Sequence, residues 1–138
     1  MVVLYMSKVI KIKEVGTLLT NEQRESLMCS AVEGGSSYWC SLGDDLDLKK
    51  YKVAGQDNYL HNLMLRAVYA GENINIYDVD DDVTLLGVFN KKNMLKGEKI
   101  MLKEYPYFFG QAINEGSGDA TTGDIWFQLS IFNTDIYG

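Results

Sequence analysis

Hydrophobic and polar positions along the chain change period several times, and each change marks an element. From Lys8 to Val15 the pattern alternates, with Ile10 and Ile12 on one face and Lys11 and Lys13 on the other, the period of two expected of a half-buried strand. Residues 1–7 are read as an extension of that strand, a flexible lead-in or a mis-assigned start. Thr20-Asn21-Glu22-Gln23 has the form of a capping box, which predicts a helix from about Asn21 to Glu33 that stops at Gly34-Gly35. Ser36 to Gln56 is turn-rich, punctuated by Gly43-Asp44-Asp45 and Gly55, and predicts an irregular surface loop anchored by Leu46 and Leu48.

A second helix is expected from Asp57 or Asn58 to Ala70, with Leu60, Leu63, Met64 and Ala67 as its apolar stripe and Gly71 as its stop. Asn73 to Val79 and Val83 to Phe89 alternate on either side of Asp80-Asp81-Asp82 and read as a β-hairpin with a solvated acidic tip. Asn90 caps a third helix from Lys91 to Glu104, ended by Pro106; Met94, Leu95, Met101, Leu102 and Tyr105 fall on one side, with Lys92, Lys96, Lys99 and Lys103 opposite. After a Gly-Ser-Gly loop, Asp119 caps a fourth helix from Ala120 to about Phe132, with Ile125, Leu129 and Phe132 as its apolar stripe. The sum is α+β, a single globular domain over residues 1–138 with about four helices packed on a small antiparallel sheet.

Composition narrows the function classes. Hydrophobic residues at 46% and charged residues at 23% are globular proportions, and the one proline argues against disorder. A net charge of −6 opposes duplex DNA and anionic membrane as partners, and no apolar run reaches a membrane-spanning length, so a cytoplasmic protein is expected. Cys29 and Cys40 lie 11 apart with no second pair, which is neither a zinc-ribbon spacing nor a disulfide framework, and His61 is the only histidine. Nucleophilic catalysis therefore lacks its usual parts, although acid-base chemistry by Glu33 with Asp119 or Asp124 stays open. No metal or cofactor is expected: counted from Asp78, the acidic stretch places Val83 and Phe89 where a calcium loop needs glycine and glutamate.

Two groups of residues remain as candidate chemistry. "EGGSSYWC" places Glu33, Tyr38 and Trp39 beside a glycine turn, where the rings serve as core or as a stacking surface. Glu33 would sit in a last helical turn, where the dipole disfavours a carboxylate, so a partner amide, cation or tyrosine hydroxyl is expected for it. In "GDATTGDIWFQ", Ala120, Asp124 and Gln128 share one helix face beside an apolar stripe, which suits a buried polar network or a ligand-orienting one, with Asp119 as the cap. Arg24 and Arg66 are the only arginines and the natural bidentate phosphate ligands, or else helix-surface residues. The lysine ladder reads as a solvated face or an anion-docking one.

These segments also carry a resemblance. "AVEGGSSYWC", then "GDATTGDIWFQ", then a terminal "IFNTDIYG" is similar to small phage- and prophage-encoded accessory proteins with E-G-G-x-x-Y-W, D-A-x-x-A-D-x-x-x-Q and F-G-x-x-x-Y-G-like elements. Glu33, Gly34, Gly35, Tyr38 and Trp39 match the first, and Asp119, Ala120, Asp124 and Gln128 the second, with Gly123 where alanine is usual. Asn133 replaces the glycine of the third, while Tyr137-Gly138 closes it. The chain resembles phage counter-defence proteins of the anti-Thoeris type, sponges that sequester cyclic nucleotide signals without cleaving them. The resemblance implies a homo-oligomeric binder of a small nucleotide-type ligand. Arg24, Arg66 and the ladder lysines are not motif positions.

Two other functions stay in view. One is a protein–protein inhibitor of a host defence enzyme whose acidic segments imitate nucleic acid. The other is a structural or accessory component of a phage particle.

Overall fold

The computed structural model describes residues 18–43, 46–114, 119–134 and 137. The strand expected at Lys8 to Val15, Asp44-Asp45 and the Gly-Ser-Gly loop lie outside these residues. Gln23 N donates to Thr20 Oγ1 at 3.1 Å and Thr20 N donates to Gln23 Oε1 at 2.8 Å, the reciprocal cap from which helix α1 (Asn21–Ser30) begins. Its buried positions Arg24, Leu27 and Met28 recur at helical spacing. Helical geometry breaks where expected, at Gly34, whose φ of +154° suits glycine, but the last turn before the break is not α-helical. The helix widens into a π-type turn over Ala31–Gly35, in which Ser36 N reaches back five residues to Ala31 O at 2.9 Å.

The stretch expected to be one irregular loop contains a short strand, β1 (Cys40–Ser41), and a 3₁₀ turn over Lys49–Tyr51. Helix α2 (Leu60–Tyr69) follows and ends near Gly71, at φ +95°. Strands β2 (Ile74–Asp78) and β3 (Leu85–Phe89) form the expected hairpin, and β1 adds to its other side, giving an antiparallel sheet of order β1-β2-β3. Cys40 stands opposite Asp78 and Ile74 opposite Phe89, with a bulge at Ile76/Tyr77. The acidic tip is organised by its own carboxylates. Asp81 accepts the amides of Val83 and Thr84 and the Thr84 hydroxyl, and these bonds hold its carboxyl below the usual range.

Helix α3 (Lys91–Glu104) starts where Asn90 Oδ1 accepts Asn93 N at 2.8 Å. Pro106 does more than end it. It opens an additional helix, α4 (Pro106–Ile113), from its first position, where the missing N–H costs nothing and the fixed φ suits a helix. The last helix, α5 (Ala120–Phe132), is capped by Asp119 Oδ1, which accepts Thr122 N at 2.7 Å.

Helix α5 is the spine of the domain and touches α1, the π-type turn, α3, α4 and β3. The single stripe expected on it is too narrow a description: Thr122 to Asp124 and Trp126 to Ile131 are all buried. Its neighbours approach this closely because glycines stand at the contacts, Gly123 on α5 itself and Gly87 and Gly97 facing it. A Cβ on Gly123 would lie 2.7 Å from Ser30 Cβ and 2.8 Å from Leu27 O, one on Gly87 2.6 Å from Ile131 Cγ2, and one on Gly97 would run into the Leu129 carbonyl. Between α1, α3 and α5 a buried ion pair closes the packing. Arg24 donates from Nε and Nη2 to Glu98 at 2.8 and 2.6 Å, and Trp126 Nε1 donates to the same carboxylate at 2.9 Å. Among the described residues no helix is long and apolar enough to cross a membrane.

Candidate functional site

Asp124 lies one turn into α5 and is 7% exposed. Its carboxylate is met by four donors from two segments of the chain. Ser36 Oγ and Trp39 Nε1 each donate to Oδ1 at 2.7 Å, Tyr38 Oη donates to Oδ2 at 2.6 Å, and Gln128 Nε2 donates to Oδ2 at 3.1 Å. A carboxylate has about four lone-pair sites. All are taken, so Asp124 organises its surroundings and has no acceptor capacity left for a ligand.

The π-type turn explains how one short segment supplies three of these donors. A Cβ on Gly35 would stand 2.5 Å from Ala120 O, so bare backbone rests directly on the first turn of α5. That contact brings Ser36, Tyr38 and Trp39 over Asp124, one helical turn further along. Gln128, a turn beyond Asp124, holds the C-terminal segment by a two-point amide clamp. Tyr137 N donates to its Oε1 at 2.8 Å and its Nε2 donates to Tyr137 O at 3.1 Å. Tyr137 then stacks on Trp39, ring centroids 5.0 Å apart. The three motif segments of the sequence thus meet at one place.

Beside this network opens a cleft of about 480 Å³, lined by Gly34, Gly35, Tyr38, Ala120, Thr121, Asp124, Ile125 and Tyr137. Its volume falls in the range of small-molecule sites, roughly 300–1,000 Å³. Tyr38 is an anchored wall: the ring is 54% exposed while its hydroxyl is tied to Asp124. Gly34 and Gly35 leave one flank without side chains.

The sequence-derived candidates separate cleanly. Tyr38 and Asp124 line the cleft, and Gln128 braces it from behind. Trp39 is core, packed against Phe127, Phe132 and Tyr137. Asp119 is the exposed cap of α5. Arg24 is not at the cleft, since both ends of its guanidinium bond Glu98 in the core. Arg66 is not there either; it ties down the preceding loop through Tyr51 O, Asp57 O and Asn58 Oδ1. The partner expected for Glu33 is absent among the described residues. Glu33 sits on the exposed side of the π-type turn and faces water, where the dipole is screened. The ladder lysines Lys92, Lys96, Lys99 and Lys103 are all exposed.

Ser36 is the member of the network that the sequence does not single out, and Tyr137 enters there only as the close of the third motif element. A serine directly after a Gly-Gly turn carries no periodic signal, and Tyr137 is placed by Gln128, nine residues away, and by Trp39.

Cys40 borders the same network and is chemically quiet. Burial, with the Asp124 charge adding to it, pushes its thiol up from 9.0 to about 12. Since the thiolate is the nucleophile, Cys40 in a Cys29→Ser chain is expected to react with iodoacetamide at pH 8 about 1,000-fold more slowly in the folded protein than in urea. Equal rates in the two states would refute this environment.

In comparisons with protein-family models, curated proteins and solved structures, nothing matches this chain.

Proposed function

We propose that the protein is a phage counter-defence binder that takes up a small nucleotide-type signal in the Asp124-braced cleft and holds it without cleaving it. The observation that carries this reading is the convergence of three separated motif segments on one cleft of ligand size. The exposed ring of Tyr38 offers a face for a base, and the glycine flank lets a flat ring approach closely.

The polar end of such a ligand meets the first turn of α5, where Ala120 and Thr121 line the cleft and helix-start amides lack intrahelical partners. The Asp119 carboxylate caps that turn and tempers its positive field. Among the described residues no cation lines the cleft, and Arg24 and Arg66 are committed elsewhere. The chemistry favours ligands with few phosphates over triphosphates.

Calorimetric titration with cyclic ADP-ribose isomers and cyclic oligonucleotides, followed by heating to release the bound molecule, tests this. Binding with recovery of intact ligand is expected. Absence of binding across the panel, or recovery of a cleaved product, overturns the proposal.

A further inference from the structure

Away from the cleft, the sheet ends in an edge that the described residues leave unpaired. Strand β3 bonds to β2 on one side, and among the described residues no strand pairs with its other side. One carbonyl of the strand, Val88 O, accepts Asn93 Nδ2 at 3.0 Å and keeps a second lone pair. The run Val83-Thr84-Leu85-Leu86-Gly87-Val88-Phe89 contains no charge and no proline, the two devices that most often protect an edge from pairing. Val83 is 74% and Leu85 54% exposed. An uncharged edge on a chain of net charge −6 is the place where two copies can approach without mutual repulsion.

The residues flanking that run decide the partner. Asp80-Asp81-Asp82 precede it and Lys91-Lys92 follow it, so charge is reversed about Gly87: Asp82 lies five residues before it and Lys92 five after. If two β3 strands pair antiparallel about Gly87, Leu85 stands opposite Phe89, Leu86 opposite Val88, and the acidic tip of each copy lies alongside the start of α3 in the other. The same surface is then complementary to itself, as a two-fold interface requires. Gly87 suits the centre of the pairing, because its missing side chain lets β3 seat on Ile131 and Phe132 of α5.

We propose that β3 is a homodimer interface, in which two copies of this chain join edge to edge, in register about Gly87, into one six-stranded antiparallel sheet. The occupant is a second copy and not an unrelated peptide, because an unrelated strand would not carry the matching acid-then-base flanks. This inference stands apart from the ligand reading of the cleft and survives its failure.

Sedimentation velocity across a dilution series tests it. The native chain is expected at twice its 15.6 kDa monomer mass, shifting toward monomer as salt rises. Leu85→Lys puts a charge on the edge at an exposed position, so the mass should halve while the melting temperature holds. Lys92→Glu should lower the dimer fraction, and adding Asp82→Lys, the position opposite it in this register, should restore the native fraction by exchanging the two signs. Lys103→Glu, at the far end of α3, changes net charge equally and should leave the dimer intact. A monomeric native chain, a Leu85→Lys chain that stays dimeric, or equal effects of Lys92→Glu and Lys103→Glu would each overturn the proposal.

Discussion

Asp124→Ala is expected to destabilise the fold by about 3–5 kcal/mol, because it removes the acceptor of four donors at once and leaves them buried or half-buried without partners. The loss reaches beyond α5. Ser36, Tyr38 and Trp39 belong to the segment after the π-type turn, and Gln128 belongs to the clamp on Tyr137, so both segments lose their anchor. Asp124→Asn separates charge from shape. Its amide oxygen still serves Ser36 and Trp39, but its NH₂ then faces the NH₂ of Gln128, which cannot turn over without giving up Tyr137 N. A smaller cost of about 1–3 kcal/mol is expected for this variant. Urea unfolding followed by the fluorescence of Trp39 and Trp126 reads both. If Asp124→Ala costs less than about 1 kcal/mol, Asp124 is not the hub described here.

The second large effect belongs to the ion pair in the core. Glu98→Leu strands the Arg24 guanidinium and the Trp126 N–H without acceptors and is expected to cost about 3–5 kcal/mol. Arg24→Met in the same chain should restore most of that loss, since a buried pair replaced by apolar groups of similar volume is often close to neutral. A residue of about 1–3 kcal/mol should persist for the Trp126 N–H alone. The double-mutant cycle isolates the pair. If the double variant is as unstable as the sum of the two singles, α1, α3 and α5 are held together by something other than this charge.

Local signals carried most of the helix boundaries. Thr20, Asn90 and Asp119 announce helix starts because a capping side chain bonds within its own turn, and all three do so. What failed locally was a residue with two meanings. Pro106 reads as a stop, yet it is equally a first helical residue, and α4 follows from it. Strand β1 had no signature because two residues have no period; Cys40 and Ser41 are a strand only because Asp78 and Tyr77 face them.

The two polar hubs differ in legibility for the same reason. Asp124 and Gln128 are one turn apart on one helix, so their shared face was visible, whereas their partners in the Ser36–Trp39 segment depend on how Gly35 meets Ala120. Glu98, within Lys96-Gly97-Glu98-Lys99, looks like part of a solvated charged face. The clue to its burial is Gly97, a helix-interior glycine that marks close approach of another backbone. Arg24 is neither at the cleft nor on the surface, and nothing near it in sequence reveals the carboxylate 74 residues away that holds it in the core.

The central claim, that the Asp124-braced cleft is a ligand site, is tested most directly by titrating the native chain and Thr121→Trp side by side with the cyclic nucleotide panel. Thr121 is exposed and lines the cleft, so a tryptophan there fills the space without touching the Asp124 network. The account predicts calorimetric binding to the native chain that disappears in Thr121→Trp at an unchanged melting temperature. Binding of equal strength in the two chains would contradict it, as would a native chain that binds nothing in the panel.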